Sequence, residues 1–372
     1  MVMAKEGKHY AKDGEVIEKL EGIGKEILKQ IESQKSPSYN IPIRTLGNIF
    51  FDQKSGTIKL GDKTSDRQFL NVAHSRKFMQ TVLVASEIRK VIEQKATVSI
   101  RDLYYALKHT IEGTQENTFE EQGESDPVIE DIEASLDLLR EELHLAASAK
   151  GIIAGDVQLR DGNDNIDLTK MGSGGWSVPS NVEPENIEFK KVNAEYVLFI
   201  EKDAVWRRFN EDQYWKKHKC IILTGRGQPG RGERRLAQRL NKEYDLPLYV
   251  LTDADPWGMY IYSVIKQGSI SLSYSEEKLA TPKAKFLGLT TMDVEKFKIP
   301  KEVTIKLNAL DVKRLNEMGS YEWFQKKEWK QEFAHMKEKA VKLELEALSK
   351  KGIRFITEEY VPDKIKNEEF LP

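Results

Sequence analysis

Thiol chemistry is nearly absent from this chain: 372 residues hold a single cysteine, Cys220. One thiol excludes an internal disulfide and any cysteine-based zinc site. It lies in the apolar run CIIL, where a buried filler is expected rather than a nucleophile. No apolar run approaches the ~20 residues that a membrane span needs. The opening residues, MVMAKEGKHYAKDGEV, lack the apolar stretch of a secretory signal, so a cytoplasmic protein is expected. A P-loop is missing as well. Arg231 and Gly232 stand where that pattern requires Lys followed by Ser or Thr, so no ATP site of its own is expected. Nor is there a global excess of one charge: the net charge of −2 excludes a wholly basic nucleic-acid coat. No internal repeat is visible.

What is present is charge in quantity, unevenly placed. Residues 202–242 carry twelve Lys and Arg against four Asp and Glu, whereas 112–142 carry twelve acids opposed only by Arg140. With 39% hydrophobic and 32% charged residues, the chain suits about two soluble domains with full cores.

Val16, Ile17, Leu20, Ile23, Ile27, Leu28 and Ile31 recur at helical spacing over 15–31, with Gly22 and Gly24 weakening the helix and SPSYNIP turning after it. That stripe must be buried on its own domain or on a partner. RTLGNIFF and GTIKLGD predict a hairpin around DQKS. A helix is expected over 76–95, with Phe78, Met79, Val82, Ile88 and Val91 apolar. Another starts after Ser99, where Ser99 and Asp102 fit a capping box. A third spans 127–145, capped by Asp126, with Pro127 in its first turn. The polar stretch 112–126 reads as a loop. GIIAGDVQLRDGNDNIDL then reads as a Gly-turned hairpin, and helices followed by such a hairpin match a winged-helix, CAP-like arrangement. MGSGGWSVPSNVEPEN separates this part from an alternating region.

From residue 195 strands and helices alternate: YVLFI, a helix over 204–217, CIILT, a Gly-rich loop, a helix over 232–243, PLYVLT, and a helix opening at Pro256. The pattern calls for an α/β domain with a mainly parallel sheet flanked by helices. Beyond residue 311 the chain is helical and charged, and buttresses the sheet. The expected division is 1–70 as an N-terminal extension, 71–150 as the winged helix and 151–372 as the α/β domain.

Ligands of open α/β sheets gather beyond the carboxyl ends of strands. Glu201 after YVLFI, and Asp253 and Asp255 after YVLT, stand at such ends. With no obvious Lys or Arg partner, they suit Mg²⁺, which takes oxygen ligands and keeps several waters. The blander readings are Asp255 as cap of the next helix, and Lys202 with Asp203 as a surface ion pair. Gly225, Gly227 and Gly230 satisfy G-x-G-x-x-G, which keeps a dinucleotide-binding oxidoreductase open. Arg226, Arg231, Arg234 and Arg235 around the same loop suit DNA phosphates at least as well. Another reading is a non-catalytic DNA-binding module.

On a wheel of ~100° per residue, Ile100, Leu103, Tyr104, Leu107 and Ile111 share one stripe facing the core. Tyr105 falls off that stripe, between Arg101 and Lys108. Cations there attract phosphate and favour the phenolate. An ordinary amphipathic helix with one exposed tyrosine is the alternative.

R-D-L-Y-Y, E-K-D and D-A-D, in that order and spacing, resemble the A-subunit family of archaeal DNA topoisomerase VI, the type IIB enzymes related to the meiotic double-strand-break transesterase. The resemblance spans nearly the whole chain. It implies a winged-helix domain followed by a Toprim domain, Tyr105 as nucleophile with Arg101 beside it, and Glu201, Asp253 and Asp255 as Mg²⁺ ligands. Lys108 and the loop arginines are lesser candidates for DNA contacts. It further implies a homodimer joined to two ATPase B subunits as an A2B2 heterotetramer, the N-terminal helix docking on the B subunit. Each tyrosine is then expected to form a 5′-phosphotyrosyl link on double-stranded DNA, at the partner protomer's metal site, with a second duplex passing through the break. A stand-alone break-forming transesterase keeps the same site without strand passage.

Overall fold

The computed structural model describes residues 2–372, with side chains from residue 12 onward. The chain divides into two compact units. Residues up to 50, 59–148 and 270–275 form one, and 51–58, 149–269 and 276–372 form the other.

The first unit opens with α1 (Val2–Glu32), longer than its apolar stripe and continuous through both glycines. Val16 and Leu20 are buried in one cluster with Ile88, Ile92, Leu103 and Leu143, whereas Leu28 and Ile31 stay exposed. SPSYNIP is not a turn but strand β1 (Ser38–Pro42). Strands β2 (Ile49–Asp52) and β3 (Thr57–Leu60) form the expected hairpin, of which residues 51–58 count with the second unit. β1 pairs antiparallel with β4 (Thr64–Gln68), from Ser38 opposite Gln68 to Pro42 opposite Thr64. TSDRQ has no hydrophobic alternation, so only its partner strand makes it extended.

Helix α2 (Val72–Glu93) buries Phe78, Thr81, Val84, Ile88 and Val91, while Val82 points outward. The two-residue strand β5 (Val98–Ser99) leads into α3 (Ile100–Leu107). α4 (Ser125–Leu136) begins with Glu124 as cap, not Asp126, and ends nine residues early, with Asp137 in the left-handed region at φ 50°. The leucines beyond it still fill the core: Leu138, Leu139, Leu143 and Leu145 are buried from turns and from β6 (Leu145–Ala146), which pairs parallel to β5. Their apolar spacing comes from the core they fill rather than from a helix.

The second unit holds β7 (Ile152–Ala154), β8 (Val157–Asp161), β9 (Asp164–Asp167), β10 (Trp176–Ser177), β11 (Ile187–Val192) and β12 (Tyr196–Ile200). β8 and β9 form the expected hairpin, but with β11 they make a three-stranded sheet of this unit. They are therefore not a wing of the helical unit. The antiparallel pair that packs on α2 and α4 is β1–β4, which precedes those helices. The Gly-rich separator is also part of the fold: β10 pairs with β7, and a Cβ on Gly175 (φ +65°) would stand 2.5 Å from Ile152 and 2.7 Å from Trp206.

A six-stranded sheet runs β10-β7-β13-β12-β14-β15, where β13 is Cys220–Thr224, β14 Leu248–Leu251 and β15 Lys285–Phe286. β12 pairs parallel with β13 and β14, and β14 parallel with β15, while β7 and β10 run antiparallel. All five residues of β12 and of β13 are buried, as continuous apolar runs covered on both faces require. The crossovers contain α5 (Asp203–Glu211), α6 (Tyr214–Lys217), α7 (Arg231–Tyr244) and α8 (Pro256–Lys266). The expected single helix over 204–217 breaks at Gln213, φ 49°. Leu343, Leu345, Leu348, Phe355, Ile356 and Tyr360 join Leu198, Ile200, Ile222 and Leu251 in one core, so the C-terminal segment does buttress the sheet. Cys220 lies in that core, its thiol pushed up to about 12 by burial and therefore protonated. No described helix is long and apolar enough to cross a membrane.

Candidate active site

Ser99 caps α3 as a reciprocal box. Its hydroxyl accepts the Asp102 N–H at 3.0 Å, and the Asp102 carboxylate accepts the Ser99 N–H at 3.2 Å. With the first turn fixed, Leu103, Tyr104 and Leu107 face the core. Tyr104 is 6% exposed and donates its hydroxyl to the Glu120 carbonyl at 3.0 Å. Tyr105 is 60% exposed, with the Arg101 guanidinium carbon 6.0 Å from its ring centre. The helix stops at Leu107, so Ile111 is not on the stripe. Lys108 does not flank Tyr105 as the wheel implied. Its ammonium donates to the Tyr104 hydroxyl (2.9 Å) and the Glu120 carbonyl (2.7 Å), which fixes it on the buried ring's side. The acidic stretch 112–142 is offset by arginines from outside it. Arg44 and Arg67 pair with Asp131, at 2.8 and 2.6 Å, and Arg76 stands 3.4 to 3.7 Å from Glu116, Glu120 and Glu124.

In the second unit, Glu201 and Asp253 follow adjacent parallel strands. The Glu201 carboxylate accepts the Asp253 N–H at 3.2 Å. Burial disfavours the charged form of both. Burial first, then the charge of Asp253, pushes Glu201 up to about 8, and burial pushes Asp253 up to about 6. Asp255 is raised too, by burial. Asp255 is also the cap of α8: it accepts the Gly258 N–H at 2.6 Å, with Pro256 in the first turn.

The acids do have a cationic partner, contrary to the reading from sequence. The Lys202 ammonium stands 2.9 Å from Asp253 Oδ2, 2.7 Å from Glu346 and 3.4 Å from Glu344. Asp203 turns instead to Arg207 (2.8 Å) and Arg226 (3.1 Å). Burial lowers the Lys202 pKa, but hydrogen bonds to Glu346 and Asp253 outweigh it, so the ammonium is held charged. The far end of this network comes from a backbone bridge that sequence reading missed. Ala254 and Leu343 exchange hydrogen bonds of 2.9 and 3.1 Å, which aims the Leu345 N–H at Asp253 Oδ1 (2.8 Å). The only signal for it was the alternation in KLELE, one apolar residue per acid.

Among the described residues, no group of three His, Cys, Asp or Glu side chains is arranged to hold an ion. Asp253 is engaged at both oxygens and Asp255 serves a helix. The donor set nevertheless fits a hard divalent cation: every donor is a carboxylate oxygen, the acids raise one another's pKa, and Mg²⁺ is commonly held by one or two carboxylates plus water. Glu201 with Asp253 and Asp255 could supply that.

The glycine loop folds against this edge. The Gly227 N–H (φ +94°) donates to the Glu201 carbonyl at 2.8 Å, and a Cβ on Gly225 would stand 2.7 Å from Pro229. At the start of α7 the buried Glu233 carboxylate accepts the Gly151 N–H and lies against Gly230. A buried carboxylate beside the loop, in the first turn of α7, disfavours an anionic pyrophosphate there and weakens the oxidoreductase reading. Two of the four arginines are structural. Arg234 is 2% exposed and paired with Glu276, and Arg235 is held in a fork by Glu183 at 2.8 and 2.6 Å. Neither is free for a phosphate. Arg226 is exposed and paired with Asp203, and Arg231 is half-buried.

Residues 196–365 match the family model for the Toprim domain of the topoisomerase 6 A subunit/Spo11 group. Residues 76–145 match "Type IIB DNA topoisomerase", and 150–193 match "All-beta domain in DNA topoisomerase VI alpha subunit". The chain is 46% identical over 367 residues to the type 2 DNA topoisomerase 6 A subunit of Pyrococcus abyssi, covering 96% of this chain and 95% of that one. The chain belongs to the topoisomerase VI A-subunit family. The Hyperthermus butylicus relative of the same name is 44% identical, with 93% of each chain covered. The DNA topoisomerase 6 A subunit of Arabidopsis thaliana is 31% identical over 95% of this chain and 80% of its own. In this topoisomerase VI A-type chain the fold is mixed α/β, with a Toprim domain at 196–365. The hairpin expected as a wing falls in the all-β match.

Proposed function

We propose that Tyr105 is the nucleophile of a DNA transesterification, and that Glu201, Asp253 and Asp255 serve the same phosphate from the partner protomer of a homodimer. The chain is the DNA-cleaving subunit of a type IIB topoisomerase, an isomerase. The observation that carries the assignment is the contrast between two adjacent tyrosines: one buried and hydrogen-bonded, the other presented to solvent beside Arg101.

The phenol oxygen of Tyr105 forms a bond to the scissile phosphorus as the bond to the 3′ oxygen breaks. The phenol proton leaves, the 3′ oxygen departs as a hydroxyl, and a 5′-phosphotyrosyl ester remains. One phosphoester replaces another, so the step needs no ATP and reverses to reseal the strand. Arg101, one turn before Tyr105, offsets charge on the phosphate. When bound at the acids, Mg²⁺ supplies charge that polarises the phosphate and stabilises the leaving oxygen. Arg226 and Arg231 hold the backbone without reading sequence. The helices of the first unit serve as the winged-helix DNA-binding element. Two copies, each cutting one strand, join two ATPase B subunits as an A2B2 complex whose ATP turnover moves a second duplex through the break.

The test is covalent capture on supercoiled DNA with Mg²⁺, ATP and the B subunit. A trapped peptide carrying its nucleotide on Tyr105 supports the assignment, and one carrying it on Tyr104 sinks it. Relaxation that requires the B subunit, with cleavage alone in its absence, separates a topoisomerase from a stand-alone transesterase.

A further inference from the structure

The acid edge already holds a cation of its own making. Lys202 is the residue after Glu201, so the end of β12 that delivers an acid also delivers an ammonium. That ammonium stands 2.9 Å from Asp253 Oδ2, while Asp253 Oδ1 is taken by the Leu345 N–H at 2.8 Å. A cation approaching Asp253 therefore meets Lys202 at the one oxygen not already bound to backbone. Lys202 also has a second seat. Glu346 at 2.7 Å and Glu344 at 3.4 Å lie on the C-terminal segment bridged to Ala254, are about half exposed, and are outside the acid set of the strand ends. Among three acidic partners, one lysine is shared between an inner seat and an outer one.

We propose that Lys202 is the resident counter-cation of this edge, and that ion loading moves its ammonium from Asp253 onto Glu344 and Glu346. This rests on the reading of Glu201, Asp253 and Asp255 as a divalent-cation site. The physics is competition. Two cations cannot share one buried carboxylate oxygen without repulsion, and a charge-assisted hydrogen bond must be given up for the ion to enter. Lys202 thus offsets the charge of the acids and sets the concentration at which the ion enters. Glu344 and Glu346 lower that threshold by receiving the displaced ammonium.

The experiment is a Mn²⁺ titration of the full-length, EDTA-stripped chain by electron paramagnetic resonance, with no DNA and no turnover. Wild type is expected to bind Mn²⁺ and Asp253→Asn to lose it; a wild type that binds none removes the metal reading itself. Given binding, Lys202→Met should bind about ten- to a hundredfold tighter, the worth of one charge-assisted hydrogen bond. Lys342→Met, which removes a nearby cation seated on Asp311 rather than Asp253, should shift affinity far less. Equal shifts would reduce Lys202 to background charge and overturn the proposal, as would unchanged or weaker binding in Lys202→Met. The double substitution Glu344→Gln with Glu346→Gln keeps the inner contact and needs no loss of Lys202. It should weaken Mn²⁺ binding in wild type and have no effect in the Lys202→Met background. Weakening in both backgrounds would make those glutamates ligands, and no weakening in wild type would abolish the second seat.

Discussion

Replacing Glu201 with Gln tests the charge state of the acid edge. In the folded chain Glu201 is pushed up to about 8 from an ordinary 4.5. Between those values the folded state holds a proton that the unfolded chain has released, so stability must fall as pH rises, and the loss is complete above the folded value. From pH 6 to pH 9 this group alone removes about 2.5 kcal/mol, at about 1.4 kcal/mol per unit. Glu201→Gln cannot ionise and should lose that slope, becoming the more stable variant at pH 9. The assay is urea unfolding in EDTA, followed by tryptophan fluorescence. All six tryptophans lie in the unit that carries the acids, so the signal reports on that unit. Saturating Mg²⁺ should flatten the wild-type slope as well, because the ion favours the ionised form. A Glu201→Gln curve that parallels wild type across this range would refute the reasoning.

Other outcomes rest on single contacts. Tyr105→Phe should abolish covalent DNA attachment and leave DNA binding intact in a filter assay. Tyr104→Phe should keep attachment and lose about 1 kcal/mol of stability, since it gives up the Glu120 and Lys108 hydrogen bonds. Arg234→Ala leaves Glu276 in the core without its ion-pair partner, and should cost about 3–5 kcal/mol in denaturant unfolding. Arg226→Ala, at an exposed position, should change stability by under about 1 kcal/mol but weaken DNA binding and lower its salt dependence.

That Tyr104 is buried and Tyr105 exposed was legible because α3 is short, amphipathic and capped by adjacent residues, so its own periodicity sets which side meets the core. β12, β13 and β14 were legible because doubly covered strands are apolar throughout. What stayed hidden depends on distant partners. Lys202 meets Asp253 across 51 residues and Glu346 across 144, and neither neighbour leaves a mark on E-K-D itself. Arg234 looked like a phosphate ligand because Glu276, 42 positions on, is what buries it. The end of α4 was missed because Leu138 to Leu145 keep apolar spacing while filling the core from turns, and β4 was missed because its strand character belongs to β1.

Whether the two halves of the reaction come from different polypeptides is decided by complementation. Tyr105→Phe and Asp253→Asn chains are co-expressed, and the purified mixed dimer with its B subunit is given supercoiled DNA and Mg²⁺. If each tyrosine works at the other chain's acids, the mixed dimer retains one site with both parts intact, and nicked circles with protein attached to one strand appear, although neither variant alone cuts. If both parts belong to one chain, every site in the mixture is defective and the DNA stays closed, which would contradict the account.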